Sequence, residues 1–227
     1  MLKLKPIAPF QVYLSEKKDG SITSADQAKH LLQQNNCQKP VVYFYHQHQA
    51  ERFYLDQINS PNKINADAVI TQKQNVCLAM SVADCFPVLL TSPQKNTMAL
   101  VHAGWKPLLQ NIIELTILDL QHLYKLDPSR LIVWIGPGIR RCCYHFKEKP
   151  VQAELSSWQK VITKNKKGWQ IDLVGFIQNE LKRLGVNAKN IFDFEVCTSC
   201  NSENYFSHYK NVQQKNPDGR TLVAIES

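Results

Sequence analysis

The chain has 227 residues, 44% of them hydrophobic, which supports one large domain over residues 1–227 with a substantial core. No apolar run is long enough to span a membrane, and MLKLKPIAPF lacks an apolar signal core, so the expectation is a soluble, cytoplasmic protein. Seven cysteines, with Cys142 and Cys143 adjacent, argue against a secreted disulfide framework and for a reducing compartment. The net charge of +8 is scattered, with small clusters at Arg140–Arg141 and Lys164–Lys167. That pattern fits a solvated surface or attraction to an anion such as phosphate, and lacks the clustering of a nucleic-acid footprint.

Residues 1–40 are weakly patterned apart from a helix expected over Ser24–Gln34, where Ser24 caps and Gln27 sits at the third helical position. A strand-rich block follows: Val41–Tyr45, Arg52–Leu55, Ala66–Thr71, Val76–Val82, Pro87–Leu90 and Met98–His102 are rich in Val, Tyr, Phe and Leu. Asn59–Asn65 reads as a loop. Leu108–Tyr124 carries apolar residues at helical spacing and stops at Asp127-Pro128. Leu131–Ile135 is a buried strand ending in Gly136-Pro137-Gly138. Amphipathic helices are expected over Lys149–Ile162 and Asp172–Leu184, the second closed by Gly185. Ile191–Val196 and Thr221–Ile225 complete the strands, the last preceded by a Pro217-Asp218-Gly219 turn. So many consecutive strands predict an α+β chain or a layered sandwich, without regular βαβ alternation.

The stretch Ser81–Trp105 places Cys85 and His102 at the ends of two strand-like runs, followed by the turn-forming residues Pro87 and Gly104. A third run, VVYFY, ends at His46 and His48. A thiolate and imidazoles converging from strand ends suit an open metal site or a nucleophile–base pair. On spacing alone, a buried cysteine with two hydrogen-bonded histidines is the better account of the trio, because no short-range metal-binding pattern is present. Asp84, beside Cys85, reads either as a proton acceptor or as a strand-end cap. Cys197-Thr-Ser-Cys200 is one CxxC without a second, weak evidence for structural zinc. Cys142-Cys143-Tyr144 reads as packing or pocket lining. NYFSHY, Asn204–Tyr209, offers rings for stacking or for packing.

Taken in order, several motifs resemble one family. They are Gln47-His48; Ala66-Asp67-Ala68 with Thr71; Ala83-Asp84-Cys85 with Pro87-Val88-Leu89-Leu90; and Val101-His102-Ala103-Gly104-Trp105. Ile135-Gly136-Pro137 with Ile139, Cys143-Tyr144, Asp172-Leu173, Leu184-Gly185-Val186, Cys197-Thr198, Phe206-Ser207-His208 and Gly219-Arg220 continue the series. Over roughly residues 41–227 the chain is similar to the laccase-domain family, also called multicopper polyphenol oxidase or purine nucleoside phosphorylase family proteins. The resemblance implies a layered α/β/β/α sandwich like the catalytic domain of cytotoxic necrotising factors. It implies His48, Cys85 and His102 as zinc ligands. It implies phosphorolysis of adenosine, inosine, guanosine and methylthioadenosine, and deamination of adenosine to inosine.

Within that expectation Asp84, Cys85 and His102 are the catalytic candidates, and Lys106, Tyr144 and Arg220 the substrate-binding ones. A single Cys-His-His site with one open position favours zinc over copper, because seven histidines with only His46 and His48 close in sequence do not supply several coppers. Expected partners are purine nucleosides and phosphate, with no nucleic acid or membrane, for a monomer or homodimer. The sequence departs from the family at Lys106-Pro107, where Arg-Gly is usual, at Gln49 in place of glycine, and at Tyr209-Lys210 in place of paired arginines. Three other readings compete: a hydrolase of cell-wall-type peptides or amides with Cys85 as nucleophile and His102 as base, a copper-dependent polyphenol oxidase, and a non-catalytic binding protein that keeps the fold.

Overall fold

A computed structural model describes residues 1–3, 9–57, 63–166, 168–215 and 217–227. Two six-stranded sheets carry the fold. The first runs Leu2–Lys3, Gln11–Leu14, Thr221–Glu226, Cys77–Val82, Val41–Tyr45 and Ile64–Asn65 in spatial order. The second runs Ile191–Asp193, Ile132–Ile135, Phe86–Ser92, Thr97–Ala103, Ala68–Thr71 and Arg52–Tyr54. Both mix parallel and antiparallel pairs. A three-stranded sheet of His145–Phe146, Gly168–Ile171 and Ile162–Asn165 flanks them.

Side chains alternate faces along a strand, and here both faces of each large sheet are covered. Leu78, Met80, Val223 and Ile225 of the first sheet meet Val69, Leu89, Leu100 and Trp134 of the second in one buried layer. On the outer face of the first sheet, Tyr13, Ala79 and Ala224 pack on Ala28, Leu31 and Leu32 of the Ala25–Gln34 helix. On the outer face of the second, Val88, Leu90, Val101 and Val133 pack on helices Ile112–Tyr124 and Leu173–Arg183 through Ile113, Ile117, Ile177 and Leu181. The layers are therefore helix, sheet, sheet, helices. Two-sided burial explains why these strands read as continuous apolar runs.

The capping expectation holds at Ser24, whose Oγ accepts from the Gln27 amide while the Gln27 side chain returns to the Ser24 amide. Other expectations are corrected. The Lys149–Ile162 helix is two 3-10 stretches, Val151–Glu154 and Ser156–Val161, leading into a strand. Pro150 precedes the first, and Trp158 leaves helical spacing to stack on Phe176 at 3.8 Å. The expected Leu108–Tyr124 helix starts earlier and breaks in two, Trp105–Leu109 and Ile112–Tyr124, because Asn111 turns left-handed at φ 60°. The Ile191–Val196 strand stops at Asp193, two residues before Glu195 at φ 58°. The Asn59–Asn65 loop lies mostly outside the described residues, and its end, Ile64–Asn65, pairs with Phe44–Tyr45. Gln11–Leu14, the three-stranded sheet and the His208–Gln214 helix have too little periodic signal to read from sequence. Among the described residues no helix is long and apolar enough to cross a membrane.

Candidate functional site

The register of one hairpin builds the centre of the site. Phe86–Ser92 pairs antiparallel with Thr97–Ala103, with Phe86 opposite Ala103 and Pro87 opposite His102. Cys85, just before the first strand, therefore comes level with Gly104, just after the second. An ideal Cβ on Gly104 would stand 2.8 Å from Cys85 Sγ and 3.4 Å from His102 Nε2. Glycine is needed here for space, since its backbone (φ −82°) suits any residue. His102 shares the inter-sheet face with Met98 and Leu100 and is fully buried.

The other sheet delivers the remaining histidines. His46 and His48 follow Val41–Tyr45, and His46 stacks on His102 with ring centroids 4.1 Å apart. A nitrogen from each of His46, His48 and His102 falls within 4.8 Å of the others.

A buried carboxylate ties these pieces together. Asp67 precedes Ala68–Thr71, whose pairing of Ala68 with Val101 sets Asp67 against His102. The Asp67 Oδ1 accepts from the His48 amide at 2.9 Å and faces His102 Nδ1 at 2.9 Å, while Oδ2 accepts from the Gln49 amide at 2.8 Å. The His102 amide also donates to the Asp67 carbonyl at 2.7 Å. When the ring is neutral with its proton on Nδ1 turned to Asp67, Nε2 is the lone pair aimed at Cys85 and the pocket. Neither His102 Nε2 nor His46 Nδ1, both buried, has a hydrogen-bond partner among the described residues.

Electrostatics separate the three imidazoles. Burial opposes charge on His102, but the neighbouring Cys85 sulfur and Asp67 carboxylate outweigh it and push the ring up to about 9. Burial, reinforced by the other two histidines, pulls His46 down to about 3, and burial reinforced by His102 also lowers His48. For Asp67 burial works against ionisation, yet His102 and the two amides bring it down to about 2. A neutral histidine is a ready metal ligand, and a charged one beside a thiol is one half of a nucleophile–base pair.

Around this centre lies a pocket of about 430 Å³. Its lining includes all the residues expected from sequence: His48, Asp84, Cys85, His102, Lys106, Tyr144 and Arg220. It adds His46, Trp105 and Tyr209. Trp105 is exposed, and the Lys106 ammonium stands 5.5 Å over its ring. Arg220 is held by Asp218 at 2.8 Å, and Asp218 also binds His208 Nδ1 at 2.8 Å. Asp84, at φ 77°, accepts from Thr198 Oγ1 at 2.6 Å and from the Tyr209 amide at 2.7 Å. Burial raises its carboxyl despite those bonds. Both Asp84 oxygens are thus engaged, which makes it a brace for the pocket wall as well as a proton-transfer candidate. Lys210, where the resemblance expects an arginine, turns instead to Ser202 Oγ at 2.6 Å.

Sequence reasoning gave no role to Asp67, which appeared only inside the Ala66-Asp67-Ala68 match, and left open whether His46 takes the place of His48 as a ligand. A signal existed for Asp67: an acid leading directly into the largely apolar strand Ala68–Thr71 needs a buried partner.

A family model described as multi-copper polyphenol oxidoreductase laccase matches residues 14–226. A purine nucleoside phosphorylase of Clostridium acetobutylicum is 35% identical over 147 residues, covering 65% of this chain and 61% of the relative. The purine nucleoside phosphorylase YlmD of Geobacillus stearothermophilus is 28% identical over 167 residues, 70% of this chain and 59% of the relative. The matched stretch thus spans less than two thirds of these relatives' length. The crystal structure of Geobacillus YlmD superposes with a TM-score of 0.85 at 22% identity, covering 98% of this chain and 93% of that one. A Neisseria meningitidis structure gives 0.81 at 19% identity, covering 99% and 98%. The likeness in fold runs the length of the chain, and the matching family model covers nearly all of it. The chain belongs to the multi-copper polyphenol oxidoreductase laccase family.

Proposed function

We propose that this chain is a zinc-dependent purine nucleoside enzyme with one site for two reactions. These are phosphorolysis of adenosine, inosine, guanosine and methylthioadenosine, and deamination of adenosine to inosine. The observation that carries the reading is the convergence of Cys85, His48 and His102 on a pocket that also holds an exposed indole and two cations, Lys106 and Arg220. The names of the relatives, purine nucleoside phosphorylases, support the substrate class.

The donor set suits zinc. Thiolate and imidazole are its preferred ligands, and among the described residues two buried imidazole nitrogens of this cluster, His102 Nε2 and His46 Nδ1, stand without partners, the His102 ring being aligned by a carboxylate. His48, Cys85 and His102 would hold the ion, with His46 stacked on His102 as an alternative donor. Zinc when bound supplies a Lewis acid next to the pocket. The chain's own residues do the rest. Trp105 offers a flat face for the purine, and Lys106 and Arg220 offer positive charge for phosphate, or for the negative charge that develops as the glycosidic bond breaks. Asp84 carries a proton when it releases Thr198 or the Tyr209 amide. Tyr144 lines the same pocket. Phenol oxidation by several coppers ranks below this reading, because among the described residues only one histidine cluster exists.

A second reading has its own observation. Without metal, Asp67, His102 and Cys85 form an acid–imidazole–thiol series with a raised imidazole, the arrangement of a cysteine hydrolase. The kinship with cytotoxic necrotising factors implied by the sequence resemblance would favour it.

Product analysis on zinc-quantified protein separates these readings. Adenosine is supplied with and without phosphate, beside a Cys85→Ala control. Adenine formed only with phosphate establishes phosphorolysis, and inosine under both conditions establishes deamination. No product from zinc-loaded protein across several purine nucleosides sinks the proposal. Hydrolysis of peptide or amide substrates by zinc-stripped protein alone would establish the second reading.

A further inference from the structure

Outside the pocket centre, four cysteines meet that the sequence separates into two pairs. Cys142 and Cys143 lie on the turn after Gly136-Pro137-Gly138, and Cys197 and Cys200 on the turn after Ile191–Asp193. Their sulfurs all lie within 4.8 Å of one another. Cys142 Sγ stands 3.9 Å from Cys143 Sγ and 3.5 Å from Cys200 Sγ, and Cys143 Sγ stands 3.3 Å from Cys200 Sγ. The two turns are stitched together by their backbones. Gly138 bridges Cys197 in parallel, and the Thr198 amide donates to the Gly138 carbonyl at 3.1 Å.

We propose that Cys142, Cys143, Cys197 and Cys200 form a second, structural zinc site, a closed four-thiolate centre beside the pocket. Zinc–sulfur bonds of about 2.3 Å in a tetrahedron set neighbouring sulfurs about 3.8 Å apart, close to the spacings here. The arrangement supplies four soft ligands and no open position, the make-up of a structural rather than a catalytic site. The Arg140 amide donates to Cys197 Sγ at 3.4 Å, the outer bond that a metal-bound thiolate accepts. Packing does not explain the cluster, because Cys142 and Cys200 are exposed. Loading replaces the thiol protons with the ion and releases them to solvent.

The location gives the ion a task. Tyr144 follows Cys143, and Thr198, which binds Asp84 at 2.6 Å, follows Cys197. One ion would lock the two turns to each other beyond the point where the pairing of Ile132–Ile135 with Ile191–Asp193 and the Gly138–Cys197 bridge leave off.

The test compares metal content of the full chain, purified under reducing conditions, with that of Cys142→Ser/Cys200→Ser. The proposal expects the variant to hold one zinc equivalent less per chain. This difference is read whether or not the pocket histidines are loaded, so it stands apart from the nucleoside reading. Because the variant could fold poorly, the unaltered protein provides a second measurement. Cys142 and Cys200 should resist a thiol reagent until a chelator strips the zinc, and then label fully, as located by peptide mapping. Cobalt substitution should give the intense visible bands of a tetrahedral tetrathiolate, absent from the variant. Equal zinc in both proteins, labelling of Cys142 and Cys200 in zinc-replete protein, iron in place of zinc, or an intact mass lacking two hydrogens through a disulfide would each overturn the proposal.

Discussion

Replacing Asp67 with asparagine tests whether a buried carboxylate organises the histidine cluster. Asp67 is wholly buried and serves three donors: the His48 amide, the Gln49 amide and His102 Nδ1. Asparagine keeps the shape and one oxygen. With that oxygen retained at Oδ1, His48 and His102 keep a neutral acceptor, while the new NH2 confronts the Gln49 amide, donor against donor. Losing one charge-assisted bond in the interior costs about 1.5–3 kcal/mol. Loss of a carboxylate behind a ligating histidine lowers metal affinity about 10–100-fold. That corresponds to about 1.4–2.8 kcal/mol of binding. Asp67→Ala should cost more, about 3–5 kcal/mol, since it leaves all three donors bare. Zinc affinity measured by competition with a chromophoric chelator, together with urea unfolding, gives both quantities. An Asp67→Asn protein that matches the original in midpoint and in zinc affinity would refute the idea that Asp67 aligns His102.

Three further outcomes are expected. Leu89→Ala empties a fully buried position between the two sheets and should cost about 2–5 kcal/mol in denaturant unfolding without moving KM. Asp84→Ala removes the acceptor of Thr198 and of the Tyr209 amide, so thermal stability should fall by about 1–3 kcal/mol, with kcat falling further than stability alone predicts. An unchanged kcat would reduce Asp84 to a brace. Lys106→Arg restores a planar two-pronged donor at the pocket rim and should lower KM for phosphate in steady-state phosphorolysis, with little change in KM for the nucleoside.

Much of the site was legible in the linear chain. Cys85 and His102 stand out because one strand-like run begins just after Cys85, the next ends beside His102 and a short turn joins those runs, so antiparallel pairing must bring them level. The Ser24 cap and the Leu173–Arg183 helix were equally readable, since caps and helical periodicity are local. The Lys149–Ile162 segment misled because its apolar spacing mimics a helix, while the stacking of Trp158 on Phe176, which no local pattern encodes, draws it into 3-10 turns.

What the sequence determined by itself was chemistry that depends on residue type and short-range order: mixed strands and helices, a thiol and imidazoles at strand ends, cations suited to an anion, and an ordered series of motifs pointing to one family. Tertiary structure decided what depends on register and on sheet-to-sheet contact. It chose Asp67 as the common anchor of two loops, stacked His46 on His102 across the sandwich, and joined Cys142 and Cys143 to Cys197 and Cys200. Partners 19, 56 and more than 50 positions apart meet only once both sheets have closed, so no window of sequence contains them.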